Sequence, residues 1–104
     1  MNIRISNGQL RFRITNDELV NLLQGVVLEL ELPLSTRILH YSIHAADLEF
    51  PLVIEEQEYG FVLLVNRSEL ELFSSREAIE HIVKIGKKDL LLVLEVDFRK
   101  SPKK

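Results

Sequence analysis

The feature that most constrains the fold of this chain is a short phrase that occurs twice, 51 residues apart. Ile14-Thr15-Asn16-Asp17-Glu18-Leu19 resembles Val65-Asn66-Arg67-Ser68-Glu69-Leu70, and apolar positions on both sides of the phrase correspond at the same offset. A repeat of this length is typical of two copies of one supersecondary unit that share a core. We therefore interpret the chain as two related units, at about residues 2–45 and 48–98.

Local signals predict the same element order in each unit. In the first unit, alternating apolar residues flank Asn7-Gly8, which favours a type I′ turn between two strands. Thr15 and Glu18 have the spacing of a capping box at the start of a short helix. Leucines alternate with glutamates after Val26, which predicts a half-buried strand, and another alternating segment follows Pro33. The predicted order is strand, strand, helix, strand, strand.

The second unit repeats this order with one ambiguous segment. Ser68 and Glu71 have the spacing of a second capping box. Residues 77–85 fit a strand through alternate apolar positions, and they also fit a helix that contains a Glu80–Lys84 pair. The repeat favours the strand.

These patterns predict an α+β fold of mainly antiparallel β-structure, with about eight strands and two short helices. The two pseudo-repeated ββαββ units would form either a barrel or a two-sheet sandwich. A chain of 104 residues is the size of one domain, which we place at residues 1–98. Residues 99–104 form a basic tail that we expect to be flexible, with an electrostatic docking arm as the alternative.

Composition narrows the chemistry. The sequence contains no cysteine, which excludes disulfides, thiolate metal sites and cysteine nucleophiles. Its formal net charge of −3 gives no general attraction to nucleic acid. No run approaches the roughly 20 apolar residues of a membrane-spanning helix, and residues 1–5 do not resemble a signal peptide. We expect a cytoplasmic protein without membrane contact.

Four apolar residues of the second unit stand at positions where the first unit is polar. They are Val62, Leu64, Leu91 and Val93. A strand that is apolar on both sides must be covered on both sides. Either the helices of a closed barrel cover these residues, or a second chain does, in which case they form the interface of a homodimer.

Three arginines are predicted to lie together on the first hairpin. A two-residue turn at Asn7-Gly8 places Arg4 opposite Arg11, with Arg13 beside them. Their counter-charge could come from acidic residues of neighbouring strands, of which Glu29, Glu31 and Glu55 are the candidates. The functional alternative is a shallow anion site for a phosphate, a carboxylate or a nucleic-acid backbone. No aromatic residues interleave with the arginines, which argues against single-stranded nucleic acid.

Catalytic and metal-binding signals are weak. His40 and His44 would share one face of a strand but stand ~13 Å apart, and His81 reads as a half-buried strand residue. We expect no metal and no cofactor. Nucleophile, zinc-protease and dinucleotide motifs are absent from the sequence, so we do not expect an enzyme. The alternative, a small enzyme with His40 or His81 as general base, would need an organised pocket.

The two ends of the chain resemble a family of small uncharacterised bacterial proteins known only as a domain of unknown function. The resemblance rests on Ile3-Arg4-Ile5, on the segment Leu10-Arg11-Phe12-Arg13-Ile14-Thr15 with Glu18 after it, and on residues 92–98. It implies a bacterial, cytoplasmic protein and brings no established activity. Relatives often carry a cysteine after the final phenylalanine, whereas this chain has Arg99-Lys100, so a thiol role does not carry over.

The sequence therefore predicts a non-enzymatic interaction or regulatory module that self-associates, with a further protein partner as an open possibility. Anion or nucleic-acid-backbone binding through Arg4, Arg11 and Arg13 is the alternative.

Overall fold

The computed structural model of the protein describes residues 1–73 and 78–97. It is an α+β structure of eight strands and two short helices, as predicted, with the strands in two four-stranded sheets. The elements in chain order are β1 (Asn2–Ser6), β2 (Gln9–Thr15), α1 (Asn16–Leu23), β3 (Leu28–Pro33), β4 (Ile38–Ala46), β5 (Leu52–Gln57), β6 (Gly60–Asn66), α2 (Arg67–Glu71), β7 (Ala78–Ile85) and β8 (Lys88–Asp97). Because the strands form two separate sheets, the fold is a two-sheet sandwich and not a closed barrel. The predicted tail at 99–104 lies outside the described residues.

The ambiguous segment is a strand, as the repeat predicted. Residues Ala78–Ile85 pair antiparallel with β8 over their whole length. The first hairpin also has the predicted register, because Ser6 pairs with Gln9 and Arg4 pairs with Arg11 around the turn. Gly8 adopts a φ of 73° there, which an L-residue other than asparagine or aspartate rarely does.

Helix α1 begins with the predicted capping box. The Glu18 backbone N–H donates to the Thr15 hydroxyl at 3.1 Å, and the Thr15 N–H donates to the Glu18 carboxylate at 2.9 Å. The α-amino group of Met1 also donates to this carboxylate at 2.8 Å. Partial burial alone would raise the pKa of Glu18, but these charged and backbone donors outweigh it and lower that pKa.

The capping box predicted for α2 is wrong. The N-cap of this helix is Asn66, whose side-chain oxygen accepts from the Ser68 N–H at 2.9 Å, so Ser68 lies inside the helix. The Asn66 amide also donates to the Leu48 carbonyl at 2.9 Å. Asparagine suits this position because its side-chain oxygen accepts a hydrogen bond from the helix while its NH₂ group donates one to the preceding loop.

Each sheet is built from both units. One sheet, here called sheet A, has the order β1-β2-β8-β7, and the other, sheet B, has the order β3-β4-β6-β5. The central pairs β2–β8 and β4–β6 are parallel, and the outer pairs are antiparallel. The pair Gln9–Leu91 in sheet A corresponds to Gly60–His40 in sheet B, and the other pairs of the two parallel ladders correspond at the same 51-residue offset.

The core lies between the inner faces of the two sheets. Phe12 of sheet A and Phe61 of sheet B meet across it, with ring centroids 5.8 Å apart in an edge-to-face arrangement. The helices add Leu19, Leu22, Leu70 and Phe73 to the same buried cluster. Helix α1 contacts strands of both sheets and also α2. The helices therefore close one end of the sandwich, and in the described residues they do not extend over the outer faces of the two sheets.

Candidate functional site

The three arginines lie together on the outer face of sheet A, but two of them are paired with acids. The Arg11 Nη1 atom lies 3.0 Å from the Glu95 Oε2 atom, and the Arg13 Nη2 atom lies 3.8 Å from the Asp97 Oδ2 atom. Both carboxylates belong to β8, which is the parallel neighbour of β2.

The expected counter-charges were therefore wrong. Glu29, Glu31 and Glu55 belong to sheet B, on the other side of the sandwich. Sequence reasoning missed Glu95 and Asp97 because no local signal shows that β8 pairs with β2 across more than 80 residues of chain.

Arg4 differs from the other two arginines. No carboxylate lies within ion-pair distance of its guanidinium among residues 1–73 and 78–97. The small cavity beside it has a volume of about 30 Å³ and is lined by Asn2, Arg4, Arg11, Arg13 and Glu95. This volume suits one water molecule and is too small for a phosphate in the conformation described.

The four apolar residues predicted as one interface lie on two opposite faces. Val62 and Leu64 belong to β6 and face outward from sheet B, because they alternate with the buried Leu63 and Val65. Leu91 and Val93 belong to β8 in sheet A. A single interface cannot contain all four, because each unit contributes one hairpin to each sheet.

Val93 is also inaccessible, with 0% of its surface exposed. Its neighbours in register are Arg11 on β2 and Glu80 on β7, both long side chains. Val93 therefore offers no surface to a partner, and its place in the predicted interface was wrong.

A sizeable cavity with apolar walls lies at the edge of the sandwich between β5 and β7. We call it the β5–β7 groove. Within the described strands, each of these two has a hydrogen-bonded neighbour on one side only. The groove has a volume of about 490 Å³; it is lined by Phe50, Leu52, Val53, Ile54, Glu56, His81, Ile82, Val83, Lys84 and Ile85. It is within the size range of sites that bind ligands or protein segments.

Three large apolar side chains of the groove are open to solvent. Phe50 is 51% exposed, Ile82 is 59% exposed and Ile85 is 51% exposed. The His81 ring packs against Phe50, with centroids 5.4 Å apart. Soluble domains rarely leave such side chains clustered and uncovered unless the surface has a partner. The sequence signal for this groove is the apolar character of β7, which predicts a strand but does not show that its surface stays open to solvent.

The opposite edge of the sandwich also exposes apolar side chains. Ile5 of β1 and Leu30 and Leu32 of β3 are open to solvent there. These residues point along the inner faces of two edge strands, as Leu52 and Val83 do in the β5–β7 groove. This edge is therefore a second apolar strip, and it matches the groove in position but not in its charged residues.

The histidines do not come together. His40 pairs with Glu31 at 3.2 Å, whereas His44 contacts the Ser42 hydroxyl through Nε2, also at 3.2 Å. His81 lies in the β5–β7 groove, away from both. Within the described ranges there is no group of three or more residues with metal-binding side chains.

The Ser42–His44 contact was not anticipated, although residues two apart on a strand always share a face. Ser42 and His40 line a cleft of about 340 Å³ on the outer face of sheet B, together with Tyr59. The Arg37 guanidinium stacks over the Tyr59 ring at 4.9 Å. Among the residues that the structure describes, no carboxylate contacts His44, so the pair lacks the group that orients the base in a catalytic triad.

The fold and the groove define an α+β two-sheet sandwich of paired hairpins with an apolar cleft at one edge. The chain belongs to the family of unknown function DUF7009, whose model matches residues 1–101. A search of curated proteins and a search of solved structures found no match. In the part of the chain that the structure covers, none of the helices has the length and apolar character needed to span a bilayer.

Proposed function

We propose that this protein is a non-enzymatic interaction module that binds an apolar protein segment in the β5–β7 groove. The observation that carries the proposal is the exposure of Phe50, Ile82 and Ile85 around one cavity. Burying three such side chains contributes roughly 25 cal/mol for each Å² of apolar surface removed from water. A partner that fills the groove therefore gains a driving force that needs no charged contact.

The edge position of the groove supports a protein partner over a small molecule. The groove is flanked by β5 and β7, each of which has one edge that pairs with no other strand among residues 1–73 and 78–97. An extended segment could bond to such an edge while its side chains fill the apolar cleft. A small apolar ligand would leave the backbone groups of that edge unused.

The chemistry near the other clefts supports a module without catalysis. In the described part of the chain, no acid orients the Ser42–His44 contact, and His40 is exposed and paired with Glu31. The Arg11 and Arg13 guanidinium groups already have carboxylate partners. None of these places combines a nucleophile, an activated base and a group that would stabilise developing negative charge.

The test is site-specific photocrosslinking in the native host. p-Benzoylphenylalanine in place of Ile82 should form covalent adducts with a protein that mass spectrometry identifies, and Ile85→Glu in the same chain should abolish them. The same probe in place of Glu29, which is exposed on β3, is the matched control and should give no such adduct. Absence of any protein adduct at position 82 would refute the proposal.

A second candidate function, anion binding, rests on Arg4 alone. Its guanidinium lies opposite Arg11 and has no carboxylate partner in the described ranges. If it binds anions, titration with inorganic phosphate at low salt should shift the amide NMR signals of β1, and Arg4→Gln should remove the shift. Arg37→Gln is the control, because Arg37 lies on the opposite side of the sandwich. Equal shifts in both variants would exclude a site at Arg4.

A further inference from the structure

We infer that the partner in the β5–β7 groove is a second copy of this chain, related to the first by a two-fold axis. This inference rests on the function proposed above and adds the identity and geometry of the partner. The observation that carries it is the placement of charge on the two walls of the groove. Glu56 stands on the β5 wall and Lys84 stands on the β7 wall.

Both charges are available to a partner. Glu56 and Lys84 form no ion pair within residues 1–73 and 78–97. They have opposite signs and lie on opposite walls of the groove. The groove therefore carries no net charge that would favour a strongly acidic or strongly basic partner.

This arrangement is self-complementary. Consider a two-fold axis that lies in the plane of contact and passes midway between the two side chains. It places Glu56 of each copy against Lys84 of the partner subunit, so that one contact of opposite charges occurs twice. Any arrangement that set the same wall against itself would bring like charges together. An isologous contact of this kind closes as a dimer.

The apolar residues fit the same arrangement. Phe50, Ile82 and Ile85 of both copies would be removed from water together, with the two ion pairs at the margin of the contact. An apolar centre with a charged margin is the usual anatomy of a protein interface. The ion pairs contribute specificity and orientation, while the apolar area supplies most of the affinity.

The edge between β1 and β3 differs from the groove at the two positions that carry the charged pair. The residue of β1 that corresponds to Glu56 at the 51-residue offset is Ile5, and the residue that corresponds to Lys84 is Pro33. The charges of that edge, Arg4 on β1 and Glu29 and Glu31 on β3, stand at other positions of the repeat, and Glu31 is already paired with His40. The Glu56–Lys84 pair is therefore specific to the β5–β7 groove.

The test is charge reversal in the full chain, read by sedimentation velocity and native mass spectrometry over a concentration series. Lys84→Glu and Glu56→Lys should each raise the dimer dissociation constant about tenfold or more. The double variant Lys84→Glu/Glu56→Lys should restore dissociation to within about threefold of the unaltered protein. Glu55→Lys is the matched control, because Glu55 is exposed on the same strand but does not line the groove.

Circular dichroism and thermal unfolding of each variant would show that a lost dimer is not a lost fold. A protein that stays monomeric at every concentration would overturn the inference, and so would a double variant as weak as either single variant. In both cases an adduct of position 82 with a different protein would leave the interaction module intact. If position 82 forms no adduct with any protein, the proposal that this protein is an interaction module is also refuted.

Discussion

Replacement of Gly60 by alanine should destabilise the protein more than replacement of any other glycine. Gly60 opens β6, and its φ is 145°, a value that L-amino acids rarely adopt and glycine tolerates. A Cβ atom added there would overlap the carbonyl oxygen of His40 and lie 2.7 Å from its carbonyl carbon. The obstacle is backbone, so no side-chain rotation can relieve it.

The expected cost follows from what must move. Relief requires β4 and β6 to separate where their parallel ladder begins, at the pair His40–Gly60. That end of the ladder also holds a hydrogen bond of 2.6 Å from the His40 N–H to the Tyr59 carbonyl. Overpacking costs about 1–3 kcal/mol, and the unfavourable φ costs a similar amount. We expect a loss of about 4 kcal/mol, from a total of about 5–15 kcal/mol for a domain of this size.

Gly86→Ala is the matched control, because Gly86 has a φ of 64° but no atom within 4 Å of the added Cβ. It should cost only about 1 kcal/mol, from the backbone conformation alone. Urea unfolding of both variants gives the comparison, since the midpoint shifts by the lost free energy divided by the m-value. The steric argument fails if Gly60→Ala unfolds within about 1 kcal/mol of Gly86→Ala. A Gly60→Ala variant that does not fold while Gly86→Ala folds would agree with it.

Three further predictions concern polar contacts. Glu18→Gln should cost about 1 kcal/mol at pH 7, because the charged carboxylate binds the Met1 amine and caps α1. Since the folded-state pKa of Glu18 is lowered, this contribution is present above the ordinary value of 4.5 and is lost as the pH falls through the folded-state pKa. Stability curves of the two proteins should therefore converge in acid, and a gap that stays constant with pH would contradict the assignment. Asn66→Ala should cost about 2 kcal/mol in chemical unfolding, because it removes the α2 cap and the bond to Leu48, whereas Asn66→Asp should retain the cap and lose less. A double-mutant cycle of Arg11→Ala and Glu95→Ala should give a coupling of only about 0.5–1 kcal/mol, because the pair is partly open to solvent; a coupling above about 2 kcal/mol would show that the pair is buried.

Local chemistry made several elements predictable from the sequence. The turn at Asn7-Gly8 determined the register of the first hairpin, and the spacing of Thr15 and Glu18 determined where α1 begins. Comparison of the two units correctly favoured a strand at residues 78–85 over a helix. In each case the signal lies within a few residues of the element that it specifies.

The second capping box shows where local reading failed. Ser68 and Glu71 have the right spacing, but Asn66 two residues earlier is an equally good cap and ends β6. Strand pairing holds the chain extended as far as Asn66, which pairs with Ala46 of β4 and donates its backbone N–H to the Pro51 carbonyl. Strand pairing, which is a tertiary constraint, therefore determined where α2 begins, and the local motif at Ser68 and Glu71 did not.

The candidate sites depended on strand partners that are distant in the chain. The parallel pairing of β2 with β8 placed Glu95 beside the arginines, where the sequence had suggested acids of other strands. The division of each unit between two sheets separated Val62 and Leu64 from Leu91 and Val93. It also created the β5–β7 groove, whose two walls come from different sheets.

The amino-acid sequence by itself determined the strands, the turns, the start of α1 and the fold class. These depend on hydrophobic period, capping side chains and backbone preference, all of which act over a few residues. Only the tertiary structure decided which strands pair, which charges meet and which apolar faces stay open. Those outcomes depend on contacts between residues far apart in the chain, for which a single sequence contains no local signal.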